Sequence, residues 1–436
     1  MNEPLAVREA PASYQVAPET QRVRPGYKQT EVGVIPEDWE VLNLESITDP
    51  KRAISYGIVQ TGPSILSGIK CLRVVDIADG KINSDEMLTT SKTISDSYKR
   101  TILKVEDLVM PLRGKVGEIA IIGEDLAGSN LTRGVALIAV RSDWSARYCR
   151  QYISSSSTKN RLEQSMNGSA LQEIPIATLR SFKIALPPAK VEQEAIAEAL
   201  SDADALIEAL EQIIAKKRHL KQGTMQELLS GKKRLPGFSG EWEVKRLNAV
   251  AEIRSGGTPS TSQPEFWDGD ILWCTPTDIT ALSGFKYLTQ TARTITTQGL
   301  KASSAELIPA HSVVMTSRAT IGECAINALP VATNQGFKNF IPFETTDGEF
   351  LYYLLQTKKQ DFISLCGGST FLEIGKTQLT AFEIELPKEK SEQTAIATIL
   401  SDIDTEIAAL ETRLAKTREL KQGMMHNLLT GRIRLI

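Results

Sequence analysis

Cysteine and histidine are scarce in this 436-residue chain. The five cysteines are odd in number, widely spaced and free of any Cys-x-x-Cys pair, and none of the three histidines lies near another or beside a cysteine at ligand spacing. The sequence therefore argues against a disulfide framework and a zinc site, and it indicates reduced cytosolic thiols. The residues concerned are Cys71, Cys149, Cys274, Cys324 and Cys366, and His219, His311 and His426.

Long apolar runs are also missing. No stretch approaches the roughly 20 residues that a membrane-spanning helix requires, and the N-terminus has neither the basic start nor the apolar segment of a signal peptide. Residues 1–28 are rich in Pro, Ala, Glu and Gln, which predicts a flexible N-terminal arm. We expect a cytoplasmic protein, whose length allows two or three domains.

One short motif suggests nucleotide binding but has the wrong spacing. Gly375-Lys376-Thr377 matches the end of a phosphate-binding loop, which needs a glycine five positions earlier so that backbone N–H groups can surround the phosphate. That position is Thr370. A second copy of the segment has Pro175 and Ile176 at the places of Gly375 and Lys376, so we expect no nucleotide site.

The chain consists of two copies of one unit. Residues 192–235 and 392–435 share 26 identities in 44 positions without a gap. Further upstream, "VMPLRGKVGEIAI" at 109–121 matches "VMTSRATIGECAI" at 314–326, with a slightly different offset that loop-length changes would produce. Each copy is a variable globular part followed by a long regular segment. Because the expected continuation of the second copy resembles the start of the chain, we expect the two chain ends to meet.

The regular segments predict two long helices that pair with each other. Apolar residues recur at alternating spacings of four and three, as in a coiled-coil seam, and Gly231 or Gly431 follows as a stop signal. Each helix should run about 38 residues, or roughly 57 Å. Antiparallel pairing would relate the copies by a pseudo-twofold axis, whereas core helices of a bundle are the alternative. The seam residues are Ile196, Leu200, Ala203, Ile207, Leu210, Ile214, Ile396, Leu400, Ile403, Ile407, Leu410 and Leu414.

A further apolar stripe follows the seam in both copies. It consists of Leu220, Thr224 and Leu228 in the first copy and of Leu420, Met424 and Leu428 in the second, and it begins six residues after the last seam position. This step predicts that the buried face of each helix shifts at that point.

The globular parts have the composition of mixed domains. They combine short β-like runs such as "LIAV" and "SVVM" with helical pieces and loops rich in Gly, Ser, Thr and Asn, which predicts α/β or α+β heads. Residues 51–185 contain 19 basic and 13 acidic residues, whereas residues 245–385 contain 11 and 14. The net charge of −3 for the whole chain is not typical of an indiscriminate nucleic-acid binder.

These features together resemble a known family. "LPPAKVEQEAIAEALSDAD" and "LPKEKSEQTAIATILSDID", each closing a globular part, are similar to the specificity (S) subunits of Type I restriction-modification systems, and so are "YKQTEVGVIPEDWEVLNL" and "PGFSGEWEVKRL". "GGTPSTSQPEFWDGDILWCTPTDI" looks like the start of a target recognition domain. The resemblance implies α/β (α+β) heads plus long antiparallel coiled-coil helices, in two pseudo-twofold-related repeats with a circular arrangement. The implied domains are a first target recognition domain at 29–188, a first long spacer helix at 189–231, a second target recognition domain at 232–388, and a second long helix with the C-terminus at 389–436.

The resemblance also implies a function. Each head would read one half of a bipartite, asymmetric double-stranded DNA target, and the helices would set the spacing and dock two modification (M) methyltransferase subunits. Restriction (R) subunits would complete the assembly, and S-adenosylmethionine, ATP and Mg would be bound by the partner subunits. The chain would be a non-catalytic specificity subunit, since "LPPAK" at 186–190 lacks the aromatic residue that follows the prolines in an amino-methyltransferase loop.

Candidate DNA-contacting residues occur in both heads, some beside the repeated block at 109–121 and 314–326 and others just after a predicted turn. Arg and Lys can bind phosphates or guanine edges, and Asn and Gln can pair with adenine edges. Solvated surface or loop capping is the alternative for each. The candidates are Lys70, Arg73, Arg113, Lys115, Asn130, Arg133, Thr258, Ser260, Lys286, Arg318, Asn334, Gln335 and Lys338.

Two other functions fit the same sequence plan. A scaffold whose heads bind proteins is slightly favoured by the lack of net positive charge. The recognition subunit of a fused-type restriction enzyme, or an inverting allele reservoir, would share the repeat pattern. Association with a methyltransferase would distinguish a specificity subunit from the protein-binding scaffold.

Overall fold

The computed structural model describes residues 23–166, 172–366 and 372–435. The first 22 residues of the predicted flexible arm, 1–28, therefore lie outside the described residues, whereas Tyr27 and Lys28 already belong to a strand. The chain forms two compact units: residues 1–207 with 416–436 form unit 1, and residues 208–415 form unit 2. Within the described ranges, every helix is too short or too polar for a transmembrane span.

Unit 1 contains a head of small sheets and short helices. Its strands are β1 (Tyr27–Thr30), β2 (Gly33–Pro36), β3 (Glu40–Asn43), β4 (Ser55–Tyr56), β5 (Ile69–Leu72), β6 (Ile77–Ala78), β7 (Lys81–Ile82), β8 (Leu88–Thr90), β9 (Leu108–Pro111), β10 (Ala120–Ile121), β11 (Asn130–Leu131), β12 (Val135–Ile138) and β13 (Lys183–Leu186). Its short helices are α1 (Lys92–Ser97), α2 (Ala146–Ser154), α3 (Ser156–Gln164) and α4 (Ile176–Ser181). The largest sheet has the antiparallel order β10-β9-β12-β4, and a second has the order β11-β5-β8.

A long helix follows, α5 (Lys190–Leu228), which continues from unit 1 into unit 2. The head of unit 2 then contains β14 (Glu243–Arg246), β15 (Ala251–Ser255), β16 (Trp267–Cys274), β17 (Tyr287–Leu288), β18 (Arg293–Ile295), β19 (Val313–Thr316), β20 (Cys324–Asn327), β21 (Val331–Thr333), β22 (Phe337–Pro342) and β23 (Glu383–Leu386). Its short helices are α6 (Pro276–Ala281), α7 (Thr297–Lys301), α8 (Gly348–Thr357), α9 (Lys359–Ser364) and α10 (Lys376–Ala381). The second long helix, α11 (Lys390–Leu428), begins in unit 2 and ends in unit 1. The two larger sheets have the orders β15-β22-β19-β20-β17 and β18-β16-β21.

Both heads are built on one plan. The sheet order β10-β9-β12-β4 of unit 1 recurs as β20-β19-β22-β15 in unit 2, and β11-β5-β8 recurs as β21-β16-β18. In each three-stranded sheet the central strand has one parallel and one antiparallel neighbour. An antiparallel pair, β3 with β13 or β14 with β23, leads into each long helix. The predicted mixed heads and the repeat are confirmed.

The two long helices are 39 residues each, close to the predicted length of about 38. A glycine with positive φ follows each helix, +68° at Gly231 and +66° at Gly431. A Cβ at Gly431 would lie 2.4 Å from Pro36 Cγ, and one at Gly231 would lie 3.3 Å from the Trp242 ring. Glycine therefore serves both as the left-handed C-terminal residue and as the site of close chain approach.

The long helices pair antiparallel, as the sequence predicts. In unit 2, two lysines four positions apart on α5 bind carboxylates two positions apart on α11, and the partner's number falls as the lysine's number rises. Unit 1 contains the equivalent of one of these pairs, with both residue numbers shifted by 200. The ion pairs are Lys217–Glu406, Arg218–Glu411 and Lys221–Asp404 in unit 2, and Lys421–Asp204 in unit 1.

All twelve seam residues are buried or half-buried. The predicted shift of the buried face is wrong at the first residue of the later stripe, because Leu220 is 53% exposed and Leu420 is 63% exposed, whereas Leu228 and Leu428 at the end of that stripe are buried. The inward face instead continues through Lys217 and Lys221, whose ammonium groups meet carboxylates of the opposite helix. Charged residues occupy these inward positions, so the apolar pattern alone gave the wrong face.

The described segments nearest to the two termini meet within unit 1, as the repeat predicts. The Tyr27 hydroxyl donates a hydrogen bond to the Gly431 carbonyl at 2.9 Å. The Arg434 guanidinium binds both Asp38 and Glu192, and the Glu192 side chain is only 4% exposed. Unit 2 contains an equivalent pair without a chain end, formed by Arg234 and Glu392 at 2.7 Å. Leu428 and Leu429 join Ile196 and Leu200 in the core of the first head.

Candidate nucleic-acid interface

Two loops of the second head bring four candidate residues together. The Thr258 hydroxyl donates to the side-chain oxygen of Gln335, which ties the loop after β15 to the loop after β21. A Cβ at Gly256 would lie 1.9 Å from the carbonyl oxygen of Asn334, so only glycine permits this approach. Ser260 follows on the first loop, and its hydroxyl binds that of a neighbouring serine at 2.8 Å. The result is a polar surface of hydroxyl and amide groups.

Two tryptophans fix the first of these loops. Trp267 and Trp273 are 6% and 5% exposed, and their ring centroids lie 4.9 Å apart at an interplanar angle of 86°. The Trp267 indole N–H donates to the Ser260 carbonyl at 3.1 Å, and the Trp273 indole N–H donates to the Gly257 carbonyl at 3.0 Å. The loop backbone thus satisfies both buried indole nitrogens, which holds the loop against the ring pair.

Arg293 stacks on the same rings and was not among the sequence candidates. Its guanidinium carbon lies 3.6 Å from the centroid of the Trp267 ring and 5.8 Å from that of Trp273. Strand pairing between β16 and β18 places Arg293 opposite Trp273. A β-bulge between Trp267 and Ile271 brings the first ring to the same place. Nothing in the sequence alone indicates this contact, because it depends on strand register.

The charged candidates of the second head are bound to carboxylates. Arg318 Nε lies 2.8 Å from Glu373, and Lys338 Nζ lies 3.8 Å from the same carboxylate. Burial lowers the pKa of Lys338 below its ordinary value, although Glu373 opposes the shift. The Lys286 side chain is 12% exposed and pairs with Glu349 at 2.8 Å. Lys286 and Lys338 therefore have partners within the fold, and neither offers an open charged surface.

In the first head, Arg113 and Arg133 lie close together, where β9 ends and β12 begins. The Arg113 guanidinium passes 3.6 Å from the position that a Cβ would take at Gly134, the residue after Arg133. Arg133 is exposed, and neither arginine is ion-paired in the part of the chain that the structure describes. Lys115 is exposed too, and its ammonium donates to the Ile77 carbonyl at 2.9 Å. Among these cations of the first head, Arg133 and Lys115 are exposed and Arg113 is half-buried.

The other candidates of the first head differ in accessibility. Lys70 is exposed on β5, whereas Arg73 pairs with Asp76 at 2.7 Å. Asn130 is fully buried, and its side-chain oxygen accepts a hydrogen bond from the Thr101 hydroxyl at 2.7 Å. A DNA contact through Asn130 does not fit the structure. The apparent turn at this position is strand β11 in the core, and the amide satisfies buried polar groups there.

One loop has the same construction in both heads. It reads "RGKVGE" at 113–118 and "RATIGE" at 318–323. In each copy the arginine forms a backbone bridge with a distant glutamate, the glycine has a φ near +85°, and the final glutamate binds a lysine of the neighbouring short helix. In unit 1, a cleft of about 970 Å³ lies beside the loop. The pairs are Arg113 with Glu173 and Arg318 with Glu373 for the bridges, and Glu118 with Lys159 and Glu323 with Lys359 for the ion pairs.

Metal and nucleophile chemistry find little support in the described parts of the chain. No group of three or more His, Cys, Asp or Glu residues there is arranged to hold a metal ion. Burial raises the pKa of the Cys71 thiol to about 11 and that of Cys149 to about 12, which keeps both protonated at neutral pH.

A protein-family model agrees with the repeat and with the head geometry. The family described as "Type I restriction modification DNA specificity domain" matches the chain twice, over residues 36–216 and 239–421. Each match begins at a head and extends into the long helix that follows it. The two matches together cover well over half of the chain.

Curated proteins with similar sequences are named as specificity subunits of Type I restriction enzymes. The Type I restriction enzyme MjaIX specificity subunit of Methanocaldococcus jannaschii is 41% identical over 166 residues, 38% of this chain and 38% of the relative. The EcoBI specificity subunit of Escherichia coli is 28% identical over 222 residues, 50% of this chain and 46% of the relative. The matches thus span less than half the length of these two relatives. The MjaX specificity subunit of M. jannaschii is 25% identical over 432 residues, covering 94% of this chain and 97% of the relative.

Solved structures share the fold at low sequence identity. A chain from work on complex assembly and conformational transition of the type I R-M system has a TM-score of 0.56 at 20% identity, covering 92% of this chain and 99% of that chain. The Type I restriction-modification S subunit from M. genitalium has a TM-score of 0.56 at 15% identity, covering 89% and 96%. These likenesses concern the fold alone.

Proposed function

This chain belongs to the Type I restriction-modification DNA specificity family, and from that premise we propose that each head reads one half of a split, asymmetric double-stranded DNA sequence. The chain is a non-catalytic specificity subunit, as its curated relatives are specificity subunits. The observation that carries the proposal is the double family match, one for each head. Two recognition domains in one chain would read two half-sites.

The differences between the heads support an asymmetric target. They share one sheet plan, yet the open side chains differ: the second head has a hydroxyl and amide surface at Thr258 and Gln335, and the first has cations at Arg113, Lys115 and Arg133. Base edges are distinguished by such donor and acceptor groups, so different surfaces would select different sequences.

The loop shared by both heads supports a contact common to both half-sites. Phosphates are the same at every position of DNA, and contacts to them position a protein without reading sequence. We assign this role to the loops at 113–118 and 318–323, most directly to Arg113, which has no carboxylate partner among the described residues. Arg318 would have to exchange its bond to Glu373 for a phosphate.

The long helices would set the distance between the half-sites and dock two modification subunits. Leu220 and Leu420 stand at equivalent places on the two helices and are both largely exposed, which offers two copies of one apolar contact. S-adenosylmethionine, ATP and Mg would be bound by the modification and restriction subunits. The complex would act on DNA in the cytoplasm.

Co-expression with the products of neighbouring genes tests the proposal. We expect a complex of one copy of this chain with two methyltransferase chains, which protects a DNA sequence split into two specific blocks. A protein-binding scaffold is the alternative, and a chain that never associates with a methyltransferase and shows no preference among DNA sequences would support it.

A further inference from the structure

We propose that Arg293 is a DNA-contacting residue of the second head, whose planar fork of N–H donors binds a pair of acceptor atoms. This inference rests on the proposed function and names a residue of the recognition surface. The acceptors would be O6 and N7 of a guanine or two oxygens of one phosphate, because both present a pair of acceptors at matching spacing.

Arg293 differs from the other arginines of its head. Arg246, Arg254 and Arg318 each form an ion pair with a glutamate. Arg293 is exposed, and it forms no ion pair within the described residues. Its charge is therefore available to a partner from outside the chain.

The tryptophan pair orients this free guanidinium. Stacking at 3.6 Å from the Trp267 ring centroid restricts the plane of the guanidinium, while the N–H donors at its edge stay available. The ring beneath is itself fixed, since Trp267 is 6% exposed and bound through its N–H to Ser260. An oriented fork loses less conformational freedom on binding than a mobile one, which strengthens a two-point contact.

The position of Arg293 connects it to the other polar groups of this surface. Trp267 binds the loop that contains Thr258 and Ser260, and Thr258 binds Gln335 on the adjoining loop. The cation thus borders a surface of neutral donors and acceptors, in a head whose other arginines are neutralised. Such a combination is typical of base-reading sites, where a few directed groups select the sequence.

The test uses the full chain in its complex with the modification subunit and a labelled duplex that contains the split target. Arg293→Ala and Arg293→Lys are compared with wild type by fluorescence anisotropy at several salt concentrations. Arg246→Ala is the matched control, because it removes one positive charge from the same head at an exposed ion pair distant in sequence from the tryptophans. Near-UV circular dichroism verifies that the tryptophan environment is retained.

We expect Arg293→Ala to weaken specific binding about tenfold or more, and Arg293→Lys to recover little, since lysine lacks the fork. If the acceptor is guanine, replacing one G·C pair of the half-site should weaken DNA binding by the wild-type complex but leave DNA binding by Arg293→Ala unchanged. If the acceptor is phosphate, Arg293→Ala should bind all DNA sequences more weakly by the same factor, and its salt slope should fall by about one.

The proposal is overturned if both Arg293 variants bind within twofold of wild type, as the Arg246 control should. That result leaves the proposed function intact. A wild-type complex with no preference for any split sequence refutes the proposed function itself, and the assignment of Arg293 with it.

Discussion

Arg434 allows a direct test of how the end of the second repeat contacts the first repeat, through Asp38 and Glu192. It is the third residue from the C-terminus, and it binds Glu192 in the first turn of α5 and Asp38 near the start of the chain. Unit 2 makes the same closure within a continuous chain through Arg234 and Glu392. If the two closures are equivalent, Arg434→Ala and Arg234→Ala should destabilise their own units by similar amounts.

The expected magnitude follows from burial. The side chains of Glu192 and Glu392 are 4% and 3% exposed, so removing either arginine leaves a carboxylate buried without its partner. Breaking a buried pair in this way costs about 3–5 kcal/mol. Each glutamate also lies in the first turn of a helix, where backbone N–H groups favour negative charge. We therefore expect each arginine variant to lower the free energy of unfolding of its own unit by about 3 kcal/mol, the lower end of this range.

Hydrogen exchange measured by mass spectrometry can localise the effect. Arg434→Ala should accelerate exchange in segments 188–200 and 428–435, and Arg234→Ala in segments 228–235 and 388–400, each leaving the other unit unchanged. The double variant Arg434→Met with Glu192→Gln is the matched control, because it removes both charges and should recover most of the lost protection.

The pH dependence of stability gives a second test of the Arg434 contacts. Hydrogen bonding to Arg434 lowers the pKa of Asp38 below its ordinary 3.8, so this stabilisation is complete above that value and is lost as the pH falls through the lowered one. Arg434→Ala should abolish this step. An unchanged exchange pattern in Arg434→Ala, or a double variant as labile as the single one, would refute the reasoning.

Three further predictions concern DNA and partner binding. Arg113→Ala should weaken binding to all DNA sequences alike and reduce the salt slope by about one in a titration, and a loss confined to one sequence would contradict a phosphate contact. Replacing both Leu220 and Leu420 by Ser should change the free energy of unfolding by no more than about 0.5 kcal/mol for each substitution, because both side chains are largely exposed. Less methyltransferase should copurify, and undiminished copurification would exclude these leucines from the docking surface. A third variant has seven residues inserted after Ile207 and seven after Ala415, which keeps the ion pairs of each unit in register. Both helices become about 10.5 Å longer, so the gap between the half-sites should widen by about 3 base pairs. A gap of unchanged length, read from the methylated sequence, would show that the helices are not the ruler.

The repeat made much of the fold predictable from the sequence. Identities at one fixed offset located both long helices, and the 4-3 spacing gave their buried seam from Ile196 to Ile214. The prediction that Leu220 is buried was wrong because Lys217 and Lys221 occupy the inward face of the helix. Apolar periodicity cannot detect a helix contact that is built from ion pairs. The contact between the described segments near the two termini was predictable by matching the repeat across the termini, which needs no knowledge of packing.

The candidate interface was less predictable, because local composition does not give burial. Asn130 looked like a turn residue, yet it lies in a core strand and binds Thr101. Arg293 had no local signal, since its role depends on a bulged strand that brings Trp267 across from it. Contacts of this kind arise from strand register, which the sequence of one strand does not determine.

Replacing the first head, residues 45–185, by that of another family member and sequencing genomic N6-methyladenine is the most direct test of the two-head account. With the chain expressed beside its methyltransferase, one half of the split target should change and the other should stay the same. A change in both halves, or a methylated sequence that is not split, would contradict it.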